Sequence, residues 1–399
     1  MNCLIKIFSV IKYMFGQILG CLLTDVYFGK HMPGVPDGSM VFFPCQDNVL
    51  CCGLTGIVFF KKKNKTDGRI DITSLKDIFK KGQDLCYANC RQNDLNLKDH
   101  YLGGENQIDA LFQKVRNLKC NDLFYNLFIN QESQVELVKF ADHLSEFIDS
   151  ESKLLTDHME RLESDDVEIL FRRIDDIKDI AWCLTSEIAD NIEKVKDLIR
   201  YKHETPNIYV VNIFKQVNAI LNSIGRLEVR GRDSAGISMM FVFDGSEFER
   251  FEETLKKENL DDQLKERSAH DVLVNLGISV NESEDKNGQK LIAVAITYKV
   301  AAEVGSLGDN VHFLRKQIKN DKILHRLVSF YPKYHTISAH TRWASVGAIN
   351  EPNCHPVDNN TAGGIVPKSG IIHACLNGDI DNYMELKKEY ERHGCFIHQ

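Results

Sequence analysis

Apolar residues recur along this chain at two periods, and the period sets the element. From Val167 to Ile199, the residues Leu170, Ile174, Ile177, Ala181, Leu184, Ile188 and Val195 follow at steps of three and four, with one step of seven. That spacing gives one apolar stripe on a helix of roughly nine turns. Ser164 or Asp165 can cap its start. An earlier run, with Leu137, Phe140, Leu144, Phe147, Ile148, Leu155, Met159 and Leu162, has the same spacing. Two such helices in succession predict an antiparallel hairpin inside a helical stretch covering 73–204. Thr205-Pro206 breaks it, with Thr205 suited to an N-cap and Pro206 to the first helical position. The next helix carries Ile208, Val211, Ile213, Phe214, Val217, Ile220, Leu221 and Ile224.

Shorter windows read as strands. Leu54 to Phe60 is β-branched and aromatic and ends at Lys61-Lys62-Lys63. Ile237–Phe243 and Leu291–Val300 are two more. "ISAHTRWASVG" reads as strand then loop, and "SGIIHACLNGDIDNYMELKKEY" as strand, loop and helix. Residues 30–48 hold Pro33, Gly34, Pro36, Gly38 and Pro44 and predict a loop or linker. Residues 245–290 predict charged helix and loop, and no repeat of fixed period is present.

Composition narrows the class. A 399-residue chain with 43% hydrophobic and 27% charged residues suits a globular protein of one large domain or two ordinary ones. A formal charge of −8 argues against a nucleic-acid-binding surface. In the opening "MNCLIKIFSVIKYMFGQILGCLLT", Lys6 and Lys12 interrupt the apolar run and leave it too short to span a bilayer. The stretch reads as a removable leader or as an upstream extension beyond the true start, and no membrane partner is expected. The 12 cysteines form no CxxC pair, and Cys86 and Cys90 lack a histidine at zinc-like spacing. They read as free thiols of a reducing cytoplasm, with no metal and no cofactor.

Three short stretches carry chemistry. In "VLCCGLTGIVFF" a cysteine, Cys52, stands at the head of a strand with Gly53 after it. A thiolate is a strong nucleophile that needs a base. If the preceding peptide bond is cut, the cysteine's own α-amine, with an ordinary pKa near 7.7–8.0, can serve. In "HTRW", Arg342 can grip a carboxylate through two parallel hydrogen bonds, and Trp343 can close over a small ligand. In "LNGDIDNY", the Asn377 amide and the Gly378 N–H are the usual materials of an oxyanion hole. Taken alone, Cys52-Gly53 fits a buried structural cysteine better than a nucleophile.

"CGLTG", "RLEVRGRDSAG", "HTRWASVG", "NCHP" and "LNGDIDNYMELK" occur in the order used by class II glutamine amidotransferases. The chain resembles that family over residues 51–64 and 206–399, and "RGRDSAG" and "HTRWAS.G" point to the glutamine–fructose-6-phosphate aminotransferase (isomerizing) branch. The resemblance implies an α+β fold, the four-layer αββα sandwich of N-terminal-nucleophile (Ntn) hydrolases, with a helical insertion. It implies a leader over 1–51, a first strand within 52–72, an insertion over 73–204 and the remaining glutaminase domain over 205–399. The implied activity is hydrolysis of L-glutamine to glutamate and ammonia for amino-sugar synthesis. Cys52 would be the nucleophile, with Cys51 the alternative, and Asn377 and Gly378 the oxyanion donors. Arg342, Trp343, Ser345 and Gly378 would bind substrate. Arg230 and Asp233 would order the nucleophile, or simply pair with each other, and His355 would support the site as a packed, hydrogen-bonded residue.

Three departures accompany the resemblance. Val346 stands where the family often has histidine, and the helical block interrupts the usual short path from "CG" to "RG.DSAG". The sequence ends at "GCFIHQ", where the family continues into a Thr-Asp-Thr-Glu stretch and then the sugar-phosphate isomerase domains that accept ammonia. It therefore reads as C-terminally truncated. A glutamine amidotransferase feeding another acceptor and a catalytically silent helical scaffold are the alternatives. A homodimer and a helix-held partner both stay open.

Overall fold

The period-2 segments pair into one antiparallel sheet. The computed structural model describes residues 39–42, 53–60, 70–200, 205–270, 272–285, 287–301, 306–344, 347–359, 372–378 and 380–392. Its strands are β1 (Ser39–Phe42), β2 (Gly53–Phe60), β3 (Ser234–Asp244), β4 (Ile278–Glu284), β5 (Lys290–Ala301) and β6 (Tyr334–Arg342), in the order β1-β2-β6-β3-β5-β4. Two short strands, β7 (Val357–Asp358) and β8 (His373–Ala374), form a separate ribbon. The architecture is α+β.

The chain divides into two compact units, one holding Gly38–Lys62 and Ile213–Gln399, the other Lys63–Asn212. The second is helical. Helices α1 (Ile72–Gln83), α2 (Tyr87–Gln92), α3 (Leu97–His100), α4 (Gly104–Asn117) and α5 (Asn121–Ile129) lead to α6 (Gln131–His158) and α7 (Ser164–Trp182). A π-helical turn, Cys183–Ala189, joins α7 to α8 (Asp190–Ile199). The predicted stripe is the core of this unit: Leu170, Ile174, Ile177, Leu184, Ile188 and Val195 are buried, and Ile192 fills the step of seven. Leu137, Phe140, Leu144 and Leu155 of α6 are buried too, and α6 packs on α7 as the hairpin expected. Met159 is exposed, because the helix ends at His158. Two buried charges answer backbone groups: Arg173 donates to the carbonyls of Tyr101 and Lys98, each at 2.7 Å, and Glu151 accepts the Tyr87 N–H at 2.6 Å.

In the sheet unit the helices are α9 (Ile208–Leu227), where the division of the chain falls, α10 (Gly245–Lys257), α11 (Asp261–Arg267), α12 (Asp309–Asn320), α13 (Lys322–Leu327) and α14 (Tyr383–Arg392). Register sorts the strand residues by face, since directly opposed residues in an antiparallel pair point the same way. Ile237, Met239 and Phe241 of β3, Val294, Ile296 and Tyr298 of β5, and Ile337 and Ala339 of β6 share the apolar face and are all buried. Helices α10 and α12 pack on it. The other face is polar although buried, with Ser234, Ser238, Thr297, Lys299 and His340. Lys299 donates from Nζ to the Leu273 carbonyl at 2.6 Å and the Glu351 carbonyl at 3.1 Å. Burial holds its pKa below the usual lysine value.

Three local expectations are corrected. The Gly/Pro-rich stretch contains β1, because the short run Ser39-Met40-Val41-Phe42 pairs with β2 from Ser39↔Phe59 to Phe42↔Gly56. The charged stretch 245–290 contains β4, held on β5 from Ile278↔Ile296 to Glu284↔Lys290. The helix after the break is capped by Asn207, whose Oδ1 accepts the Val210 N–H at 3.0 Å, rather than by Thr205. In the first two cases pairing with a neighbouring strand outweighs local composition.

Candidate active site

Segments far apart in sequence meet at one end of the sheet, where β2 and β3 begin and β6 ends. Gly53 is paired with Thr341 and Ser234 with Arg342. The Gly53 N–H donates to Thr341 Oγ1 at 3.1 Å. A Cβ on Gly53 would lie 2.3 Å from Leu227 Cβ and 2.7 Å from Thr341 Oγ1, so only glycine fits. Gly231 is held equally close: an added Cβ would stand 2.7 Å from the carbonyl carbon of Arg342. Next to it the Asp233 N–H donates to the Arg342 carbonyl at 3.1 Å, and Asp233 Oδ2 accepts the Ala344 N–H at 2.6 Å. The "RGRDSAG" and "HTRWAS" motifs are thereby stitched together on both sides of Trp343.

Arg342 is half-buried and shares the polar face with Ser234 and His340. Its Nη1 donates to the Ala348 carbonyl at 3.2 Å. Trp343 is 56% exposed. Asn377 and Gly378 are exposed in the turn after β8, and Gly378 has φ +142°, a value that favours glycine. Cys51, Cys52, Ser345, Val346 and the Arg230 side chain lie outside the described residues. The Asp233 carboxylate is engaged with the backbone of Ala344.

His355 connects this strand end to the Asn377 turn. Its Nδ1 accepts the Leu376 N–H at 3.2 Å, one residue before Asn377. Its ring lies 4.7 Å from that of His340, tilted by 48°. Its backbone rests on β3 where Gly236 leaves room, since a Cβ there would be 2.2 Å from the His355 carbonyl oxygen. Accepting at Nδ1 requires that nitrogen to be unprotonated. Burial, then Arg342 and Lys299, bring the His355 pKa down to about 4. His340 is brought down to about 3 by burial, then by His355 and Arg342. Both ring nitrogens of His340 lack a hydrogen-bond partner among the described residues. Further along the polar face, Ser238 Oγ and His373 Nδ1 are 2.6 Å apart. Burial pushes the Cys375 thiol up to about 12 and raises that of Cys354.

Sequence reasoning did not single out Thr341, His340 or Lys299. Strand alternation around Arg342 holds the signal for His340, two positions earlier on the same face. Nothing local marks Lys299, whose partners are backbone carbonyls distant in sequence. Among the described residues no group of three or more His, Cys, Asp or Glu side chains is placed to hold a metal ion. No described helix is long and apolar enough to cross a membrane.

Comparison with known proteins finds no matching family model and no matching solved structure. One 56-residue stretch is 43% identical to glutamine–fructose-6-phosphate aminotransferase (isomerizing) of Symbiobacterium thermophilum. The match covers 14% of this chain and 8% of that protein, a short local likeness to a glutamine-utilising aminotransferase.

Proposed function

We propose that this chain is a glutaminase unit of the class II amidotransferase type, built on an Ntn-hydrolase sandwich. The observation that carries the reading is the meeting of three motifs at one strand end, where Gly53 is hydrogen-bonded to Thr341 and Asp233 is hydrogen-bonded to Arg342 and Ala344. Cys52 directly precedes Gly53 in the sequence. The short likeness to a glutamine-dependent aminotransferase supports the same reading.

In the proposed reaction the α-amine of a freed Cys52 takes the thiol proton. The thiolate attacks the side-chain carbonyl of L-glutamine, and the Asn377 amide and Gly378 N–H stabilise the oxyanion. The C–N bond breaks, the α-ammonium returns its proton to the leaving nitrogen, and ammonia departs. Water then hydrolyses the γ-glutamyl thioester to glutamate and free thiol. Arg342 holds the substrate α-carboxylate, Trp343 covers the site and Ser345 lies alongside. Arg230, Asp233 and His355 support these groups. Ammonia would pass to a sugar-phosphate isomerase partner making an amino sugar.

Glutamate release from glutamine tests the reading, on the 399-residue chain and on one whose first residue is Cys52, each with and without a C-terminal extension. The Cys52-initiated, extended form should hydrolyse glutamine and its C52A variant should not. Absence of glutamate from every form would favour the second reading, a silent scaffold. The tightly packed core of the helical unit and the valine at 346 support that alternative.

A further inference from the structure

A groove of about 430 Å³ lies between α11, the turn before β4, α12 and α13, and none of its lining residues belongs to the motifs above. Its size falls within the range of small-molecule sites. Lys316 and Lys322 line it, and neither ammonium has an ion-pair or hydrogen-bond partner among the described residues. The third cation of the wall, Arg267, is neutralised. Its Nη1 and Nη2 hold Asp321 at 2.9 and 2.7 Å, and Tyr298 donates to the same carboxylate at 2.6 Å. The groove therefore keeps two uncompensated positive charges.

Two other features narrow what it would take. Gln317 lines the groove, and its Oε1 is buried without a hydrogen-bond partner among the described residues. A buried acceptor left unmet is costly, so a ligand with an N–H or O–H donor gains by meeting it once the Gln317 side chain turns its amide towards the groove. Phe313, 40% exposed, stands with Leu260 and Leu276 as the apolar part of the wall. A flat or aliphatic body fits against them.

We propose that this groove binds a small phosphomonoester whose organic part is flat or apolar and carries an N–H or O–H donor. A phosphomonoester brings close to two negative charges at neutral pH, matching the two free ammonium groups. The inference is independent of the glutaminase reading, because it uses neither its residues nor its reaction.

Isothermal titration of the full chain with AMP, adenosine and inorganic phosphate tests it. AMP carries all three recognised features, and the other two probes each lack at least one. AMP should bind saturably and at least tenfold more tightly than either, and more weakly as salt is raised. The K316Q/K322Q double variant should weaken AMP at least tenfold while its unliganded melting temperature stays that of the parent. Q317L should narrow the preference for AMP over phosphate. The proposal is overturned if none of the probes binds saturably, or if the double variant holds AMP as tightly as the parent.

Discussion

Asp233 Oδ2 accepts the backbone N–H of Ala344 at 2.6 Å, while the Asp233 N–H donates to the carbonyl of Arg342 at 3.1 Å. One aspartate therefore closes the chain on both sides of Trp343, and only one of the two bonds uses its side chain. D233A should leave a half-buried N–H unmet and cost about 1–3 kcal/mol of stability. D233N keeps an acceptor at the same place and should cost less than half as much. Urea unfolding of the two variants checks this, and equal losses would show that the carboxylate does not act through Ala344.

At Gly236 the polar face of the sheet lies directly against the His355 loop. A Cβ at Gly236 would meet the His355 carbonyl oxygen at 2.2 Å, and backbone cannot yield as a side-chain tip can. At Gly56 the nearest atom, the Ile337 carbonyl oxygen, would stand 3.3 Å away. G236A should therefore destabilise by about 1–3 kcal/mol or more, and G56A by clearly less. Denaturant midpoints of the pair decide it, and a G236A protein as stable as G56A would mean the loop does not rest on β3 as described.

These contacts explain how much could be read beforehand. The stripe from Leu170 to Val195 and the strand at Leu54 were legible because one period ran through a long or strongly β-branched window. Strand β4 was not, because its charged residues, Glu282 and Glu284, lie at its open edge, and β5 holds it in place. At the candidate site the glycines and Arg342 were legible as motif residues. The links that join them run from side chain to backbone across more than a hundred positions, as with Asp233 and Ala344, and no local pattern records them. The buried polar face was missed for the same reason: Lys299 and His340 look like surface residues until the loop at Glu351–His355 covers them.

The bond from Leu376 to His355 Nδ1 makes His355 a positioning residue for the Asn377 turn in the proposed reaction. Asparagine places its Oδ1 where histidine has Nδ1, so H355N should keep an acceptor for the Leu376 N–H. H355L cannot. In glutamate-release assays H355L should lower kcat by about 10²-fold, the size of effect seen on losing one oxyanion-hole donor. H355N should stay within about tenfold of the parent, a modest loss on the same scale. KM for glutamine should move little in both, because the proposed reaction assigns the α-carboxylate to Arg342 and not to His355. A KM effect in place of a kcat effect would put His355 on substrate binding instead.

His335 and His340, both fully buried, tie stability to pH in one direction. Burial brings His335 down to about 4, and its Nε2 lies 2.6 Å from Gln216 Oε1. Burial, with His355 and Arg342, brings His340 down to about 3. In the unfolded chain both would titrate near 6.5. Above that value neither state binds the extra protons and the folded state keeps its full advantage. As pH falls from about 6.5 towards about 4, the unfolded chain takes up about two protons that the folded chain refuses. Stability should then drop by roughly 2.7 kcal/mol per pH unit from these two residues, at about 1.4 for each proton. Replacing His335 with glutamine should remove about half of that slope. H340F should remove the other half, and it should also raise stability near neutrality by deleting a buried ring with unmet nitrogens. Urea unfolding at half-unit steps between pH 7 and 4.5 measures both slopes, and a parent protein whose stability stays flat across that window would show that the two imidazoles are not held neutral by burial.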